Sequence, residues 1–577
     1  MEKSEDLHSP SGEGPRRQSN SSSTNNTSDE ESSISLQSNP SRPATNRNNR
    51  ANSDTYSLGD NGWESIRTPA NGMSMMRTVS RRESALSRIR SRPIPQFTHP
   101  LAHIKTTEDQ IVDFDGPDDL YRPINWPMKK KVITTMLYGL VTMSATWASS
   151  SYSSGTRQVA EHFHVGTQVA TLGTTLFLVG FGIGPLLWAP LSEVYGRRQA
   201  VLIPMFIALC FSFGSAVAKD LQTLMITRFF CAFFCSAPVT NTGGVLGDLY
   251  APTERGIAMA GYAMAVVGGP VLGPIVSAAV VQDPSLGWRW TEYLTGIIQI
   301  IFLTLAVIFV DESYPPKLLI YKARRLRHET GNWALHAKFE EWDVSIAELA
   351  RKFLIRPIQL IMTPICFLVA LYASFCYGIL YMQLGAIPII FREIRGWGTL
   401  VSSLPFICIL LGAILGCSAN VYNQLLYNKA YHAAGNRAVP EKRLPPMMVG
   451  SVIFSGGQFI IAWTGGNTDI HWIVPCIGLV LLGTGFFTIF QAALNYLVDT
   501  FTMYAASAIA ANTFLRSMFA AAFPLVVGPL YHNIGVGPGS SITGGFAALL
   551  IPVPFVFYTY GKRIRARSKW SKASVYD

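Results

Sequence analysis

The sequence predicts an all-α membrane protein: twelve transmembrane helices in two six-helix bundles, preceded by a disordered N-terminal tail. Three observations predict it. Only 14% of the 577 residues are charged, against roughly 25% in soluble domains. Mean hydropathy is +0.24 although residues 1–128 are plainly polar, so the remainder is far more apolar than the average. From Val132 onward, apolar runs of roughly 18–25 residues recur, each long enough to cross a bilayer about 30 Å thick.

The tail comes first. Residues 1–60 carry 15 Ser, many Asn and almost no aliphatic residues. Such a segment cannot bury enough apolar surface to offset its ordering entropy. It lacks the basic and apolar start of a cleaved signal peptide. The basic stretch RTVSRRESALSRIRSR (77–92) sets Ser80 and Ser84 just after arginines. That pattern suits either contact with anionic lipid or a basic-directed kinase acting on the tail.

The spans follow at 132–150, 169–190, 200–218, 221–247, 257–281, 290–310, 360–384, 401–420, 447–464, 472–494, 501–527 and 540–560. The polar stretch 311–359 divides them into two sets of six, which suggests an internal duplication. The expected division is therefore a tail (1–112), an N-terminal bundle (113–310), a central loop (311–359), a C-terminal bundle (360–561) and a C-terminal tail (562–577). With the N-terminus inside, the inner flanks hold 25 Lys and Arg and the outer loops hold five. Cytoplasmic loops carry the excess of Lys and Arg, so both termini are expected in the cytoplasm. The net charge of +11 is then mostly a topology signal and gives no reason to invoke nucleic acid. The eight Cys all fall in apolar runs and none forms a CxxC pair, which argues against a disulfide scaffold and leaves no metal site. Cys231 and Cys235 share a helix face and suit core packing.

The loop after the second span reads APLSEVYGRR (189–198). This resembles the signature of the major facilitator superfamily between spans 2 and 3, with Glu193 where the family usually has Asp and Val194 where it often has Arg. Gly196 permits a tight turn, and Arg197 and Arg198 can bond an acid and helix-end carbonyls. The resemblance implies a cytoplasmic gate of Glu193, Gly196, Arg197, Arg198, Asp248 and Arg255, holding the outward-facing state closed beneath. Span 4 carries Arg228 about 10 Å into the membrane at 1.5 Å per residue. An intramembrane Arg is costly and marks a functional site by default. The resemblance links it to proton coupling, with Glu292 and Asp248 as the acids on offer.

Span 5 reads GYAMAVVGGPVLGP (261–274). Gly261, Gly268, Gly269 and Gly273 let helices approach closely, while Pro270 and Pro274 kink the span. This is similar to the antiporter signature found in drug exporters of the superfamily. Longer strings narrow the likeness: DFDGPDDLYRPINWPMKKKV (113–132), GWRW (287–290), RRLRHETGNWALHA (324–337), YGILY (377–381) and LNYLVDTF…YAASAIAANTFLRS (494–517). They resemble fungal twelve-span drug:proton antiporters, most of all yeast polyamine and multidrug transporters. There are departures. Ser154 and Arg157 stand where relatives have prolines, and Gly385 stands where relatives carry an acid in span 7. A polycation needs carboxylates in the cavity to offset its desolvation, so the missing acid weakens polyamine transport as the reading.

By the same resemblance, spans 1, 4, 7 and 10 face a central cavity. The expected lining is Ser149, Asn241, Thr242, Tyr377, Tyr381, Gln383, Phe486, Phe490, Gln491 and Asn495. Tyr377/Tyr381 and Gln491/Asn495 are four apart and share a face. Asn512 and Arg516 in span 11 are also four apart, with Arg516 deep enough to be either an anchor or a functional group. Asp499 is placed at the cytoplasmic edge, near basic groups it can offset. No HExxH, GxSxG or GxxxxGK[ST] motif occurs, so enzyme chemistry and an ATP-driven pump are not expected. The implied function is a monomeric, cofactor-free exporter of small organic molecules, xenobiotics or secondary metabolites, driven by a proton gradient. The plasma membrane is the expected site, with the vacuolar membrane as the alternative. Polyamine:proton exchange and a transporter-like sensor are the rival functions.

Overall fold

The computed structural model describes residues 110–571, apart from 120, 342–350, 352–354, 436 and 569. The tail's basic segment with Ser80 and Ser84 lies outside the described residues. Among the described residues there are twelve long helices: α1 Met128–Ser151, α2 Thr167–Tyr195, α3 Gln199–Ala216, α4 Leu221–Leu249, α5 Pro252–Gln282 and α6 Arg289–Phe309, then α7 Pro364–Ile394, α8 Phe406–Ala433, α9 Pro445–Gly465, α10 Ile473–Phe501, α11 Ala505–Ile534 and α12 Val536–Arg567. Eleven of them are long and apolar enough to cross a membrane. The other, α1, is diluted by Ser and Thr. Several of its hydroxyls bond back within the helix, Thr142 to the Tyr138 carbonyl at 2.8 Å and Ser144 to that of Val141 at 2.8 Å, which lowers the cost of placing them in the span.

Several helices depart from the expected bounds for identifiable reasons. Pro185 interrupts α2, which runs as Thr167–Ile183 and Pro185–Tyr195. Pro552 likewise divides α12 into Val536–Leu549 and Pro552–Arg567, because proline removes an N–H and clashes with the preceding turn. The expected span 501–527 begins at Ala505 instead and continues to Ile534. Helix α8 extends 13 residues beyond the expected end at 420, as an amphipathic segment leaving the apolar zone. The C-terminal tail is corrected too: residues 562–567 continue α12, and Arg565 is buried against Glu441 at 2.6 Å.

The central loop is also more structured than its polarity suggests. It holds a helix at Pro315–Thr330, closed by Gly331 in the left-handed region. The segment from Ile111 is docked on this helix rather than on the first bundle. Ile111 bridges to His336, and buried Lys322 pairs with Asp115 at 2.8 Å and Asp119 at 2.9 Å. Val112, Ala323 and Leu335 form a small core beneath. A boundary at 112/113 therefore cuts through a clasped segment.

Successive helices cross in opposite directions, so one face carries the start of α1, the central loop and the end of α12. This basic face contrasts with the opposite face. Ile203, Phe206, Ile301, Val449, Trp463 and Leu549 point outward, the apolar exterior that lipid requires. Inside, Leu137, Val141, Phe177 and Phe181 centre the N-terminal core. The C-terminal core includes Phe454, Leu482, Phe486 and Phe487 and is joined across the bundle interface by Leu178, Val267 and Val271. At that interface α2 packs on α11 and α5 on α8.

Candidate functional site

The two bundles meet toward the opposite face and part toward the basic face. On the closed side, Ser149 of α1 and Tyr381 of α7 share a hydrogen bond of 2.8 Å. Thr175 of α2 donates to the Ala521 carbonyl of α11 at 2.9 Å. Below these contacts lies a cavity of about 590 Å³, open on the basic face. Its volume falls within the roughly 300–1,000 Å³ of small-molecule sites. Asn241, Tyr262, Phe490, Gln491, Asn495 and Arg516 are among its lining residues, and Glu193, Arg197, Arg255, Arg437, Arg443 and Asp499 ring it toward the mouth.

Of the ten expected lining residues, Asn241, Phe490, Gln491 and Asn495 line this cavity. The other six do not, each for a visible reason. Ser149 and Tyr381 form the seal above it. Thr242 turns back to the Pro238 carbonyl at 2.6 Å. Tyr377 and Phe486 stand behind Phe490, ring centroids 6.2 and 5.7 Å away. Gln383 is fully buried within α7. Arg197 and Arg255 were expected at the gate, whereas Tyr262, Arg437 and Arg443 were not anticipated. Their sequence signal is weak, since Tyr262 sits inside a glycine-rich packing motif.

Arg228 is only 1% exposed and has every arm engaged. It pairs with Glu292 of α6, donates from Nε to the Gly173 carbonyl at 3.0 Å, and donates from Nη2 to the Ala148 carbonyl at 3.2 Å. The rings of Tyr152 and Phe177 lie 4.2 and 5.0 Å from its Cζ. Four helices of the N-terminal bundle thus converge on one cation. Asp248 is separated from this pair, about 30 Å further along α4 at 1.5 Å per residue. The three coupling candidates therefore occupy two places.

Asp248 belongs with Arg197, whose Nε reaches it at 3.3 Å while Nη1 donates to Ser192 at 2.7 Å. The loop is organised by a residue outside the expected set, Glu312, just beyond α6. Its carboxylate accepts the backbone N–H groups of Arg197 at 2.8 Å, Arg198 at 3.1 Å, and Ser313 and Tyr314 at 3.0 Å each. Burial pushes the Glu312 carboxyl above its usual range, and these four donors offset only part of that rise. Gly196 has φ +92°, and a Cβ there would meet Glu312 Oε2 at 2.5 Å. Glycine is required twice over, by conformation and by the carboxylate. Arg198 caps α6, donating to the Val310 and Val307 carbonyls at 2.7 and 2.8 Å. Arg255 lies over Gly247 at the mouth.

The second half repeats the arrangement. Asp499, near the end of α10 as Asp248 is near the end of α4, accepts from Arg443 at 2.9 Å and from Tyr427 at 2.7 Å. Arg443 also stacks 3.4 Å from the Tyr427 ring. In this structure the basic face is open, and Arg197 bonds Asp248 and Ser192 of its own half. The partners of Arg197 and Arg198 named here lie within their own bundle, and the cavity opens between the two clusters.

In span 5, the glycines divide. A Cβ on Gly269 would overlap Thr146 Oγ1 and the Trp147 backbone, and one on Gly273 would overlap Ser150 Oγ. Gly261 has nothing within 4 Å, and Gly268 only Met143 Sδ at 3.9 Å. Close approach of α1 and α5 therefore rests on Gly269 and Gly273.

Twelve helices in two bundles, with a polar-lined cavity between them open to one face, define a membrane transporter rather than an enzyme. Residues 136–524 match the Major Facilitator Superfamily, and the chain belongs to that family. It is 48% identical over 467 residues to the efflux pump bik6 of Gibberella fujikuroi, covering 81% of this chain and 96% of that one. It is 39% identical over 511 residues to the major facilitator superfamily multidrug transporter FLU1 of Candida albicans, covering 88% and 82%. The solved proton:xylose symporter XylE bound to 6-bromo-6-deoxy-D-glucose shares the fold, with a TM-score of 0.55 at 16% identity over 75% of this chain and 96% of that one.

Proposed function

We propose that the chain is a proton-coupled exporter of small organic molecules, xenobiotics or the cell's own secondary metabolites, at the plasma membrane. Its basic face is cytoplasmic, so the cavity takes cargo from inside the cell. The observation that carries the reading is that cavity: about 590 Å³, with aromatic, amide and hydroxyl groups and much apolar wall. Such a lining suits mid-sized, partly apolar molecules. The names of the efflux and multidrug relatives support the direction. Export requires the bundles to rock about the cavity, breaking Ser149–Tyr381 and Thr175–Ala521 while the basic side closes. No cofactor takes part, and the gradient acts through the Arg228–Glu292 pair. Protonating Glu292 removes the charge that holds Arg228 and loosens α6 from α1, α2 and α4.

The test is resistance in a yeast deleted for its own exporters, across a panel of neutral toxicants, with and without a proton uncoupler. The expected result is resistance to several compounds that the uncoupler removes. A change confined to spermine and spermidine tolerance would instead establish the polyamine alternative.

A further inference from the structure

The cavity's charge and one unpaired cation point to a narrower cargo. Arg516 lies about 16 Å along α11 from Ala505 at 1.5 Å per residue, near the middle of a bilayer about 30 Å thick. It is 3% exposed and lines the cavity. The rings of Tyr377 and Phe490 lie 4.6 and 5.1 Å from its Cζ. Among the described residues no side chain or carbonyl hydrogen-bonds it, and its Nε is buried without a partner. The contrast with Arg228 is internal to the molecule. There, a carboxylate, two carbonyls and two rings neutralise the burial. Ring faces alone offset only part of the cost of a buried cation. The remainder calls for an anion or a strong acceptor from within the cavity.

The rest of the lining agrees. Five arginines (Arg197, Arg255, Arg437, Arg443 and Arg516) stand against two lining carboxylates, Glu193 and Asp499, and Asp248 beside Arg197 makes a third, so the surplus remains positive. Asp499 is already held by Arg443 and Tyr427. A lining of that sign repels a polycation and attracts an acid. The lining also carries apolar and aromatic wall, Tyr262, Met259, Phe490 and Ile509, with Phe490 against Arg516.

We propose that Arg516 is an anion-recognition residue, and that the cavity selects aromatic or partly apolar molecules bearing one acidic group, a carboxylate or an acidic enol. The guanidinium bonds the anion while the rings of Phe490 and Tyr262 cover the skeleton. This specificity rests on the exporter reading for its purpose, but it is measured as binding and stands apart from coupling.

The test uses the full chain purified into lipid nanodiscs and three probes of one skeleton: 1-naphthoate, 1-naphthamide and 1-naphthylmethylammonium. Binding is measured by calorimetry at pH 7. A charge-assisted hydrogen bond predicts that naphthoate binds about 10- to 100-fold tighter than naphthamide, with the ammonium weakest. In Arg516→Gln the acid falls to the level of the amide. Arg516→Lys keeps a preference for the acid, which shows that the loss in Arg516→Gln comes from charge and not from misfolding. Equal binding of acid and amide, no binding of the acid, or an undiminished preference in Arg516→Gln would overturn the proposal. Failure of toxicant export in cells would overturn the exporter reading and leave the binding preference standing.

Discussion

At the scale of single residues, the Arg228–Glu292 pair bears most weight. Both groups are buried in one bundle, so removing either leaves an uncompensated charge in an apolar interior, at about 3–5 kcal/mol. Replacing both by apolar residues of similar size leaves none. We expect Arg228→Met and Glu292→Leu each to lower unfolding stability by about that amount, and the double variant to recover most of it. The recovered double variant should nevertheless lose uncoupler-sensitive export. Denaturation of the purified variants alongside efflux in cells checks both halves. Full gradient-driven export by a stable double variant would remove the pair from the mechanism. The sequence marks Arg228 plainly, since a cation in an apolar run stands out. It offers Glu292 only alongside Asp248, because which acid meets Arg228 depends on how α4 and α6 are rotated toward each other. Glu312 was less legible still. Its role as a carboxylate accepting four N–H groups exists only once the loop at Gly196 and the end of α6 are brought together.

At the scale of elements, the spans were readable because bilayer thickness fixes their length. Their ends were not, because proline, rather than hydropathy, sets the breaks at Pro185 and Pro552. Amphipathic extensions such as the end of α8 likewise carry little hydropathy signal. The glycine motif of α5 shows the same limit. Its pattern announced close packing, yet of its glycines Gly269 and Gly273 are the ones where a Cβ would clash with α1. Gly269→Ala and Gly273→Ala should therefore separate α1 from α5 and reduce both expression and efflux severely. Gly261→Ala should leave both within twofold of wild type, because its Cβ enters open space. Fluorescence-detected size exclusion and an efflux assay on each variant distinguish the two groups. Equal damage from all of them would show that the motif acts through helix flexibility rather than contact.

At the scale of the whole molecule, the duplication suggested by the six-plus-six count reappears in side chains. Arg197–Asp248 in one half is matched by Arg443–Asp499 in the other, each joining a loop to the end of the fourth helix of its bundle. What the sequence could not show was the conformational state, because the same spans build every state of an alternating-access cycle. That is why Ser149 and Tyr381 lie in the seal here and not in the lining. Opening of the opposite face would separate Ser149 from Tyr381 and alter the setting of both.

The central claim is gradient-driven export from a cavity facing the cytoplasm. The most direct measurement is uptake of radiolabelled cycloheximide, a neutral probe, into inside-out vesicles from exporter-deleted yeast carrying the protein. With an acid interior imposed, the account predicts accumulation above that of vesicles without the protein, abolished by an uncoupler. Accumulation indifferent to the proton gradient, or found only in right-side-out vesicles, would contradict it.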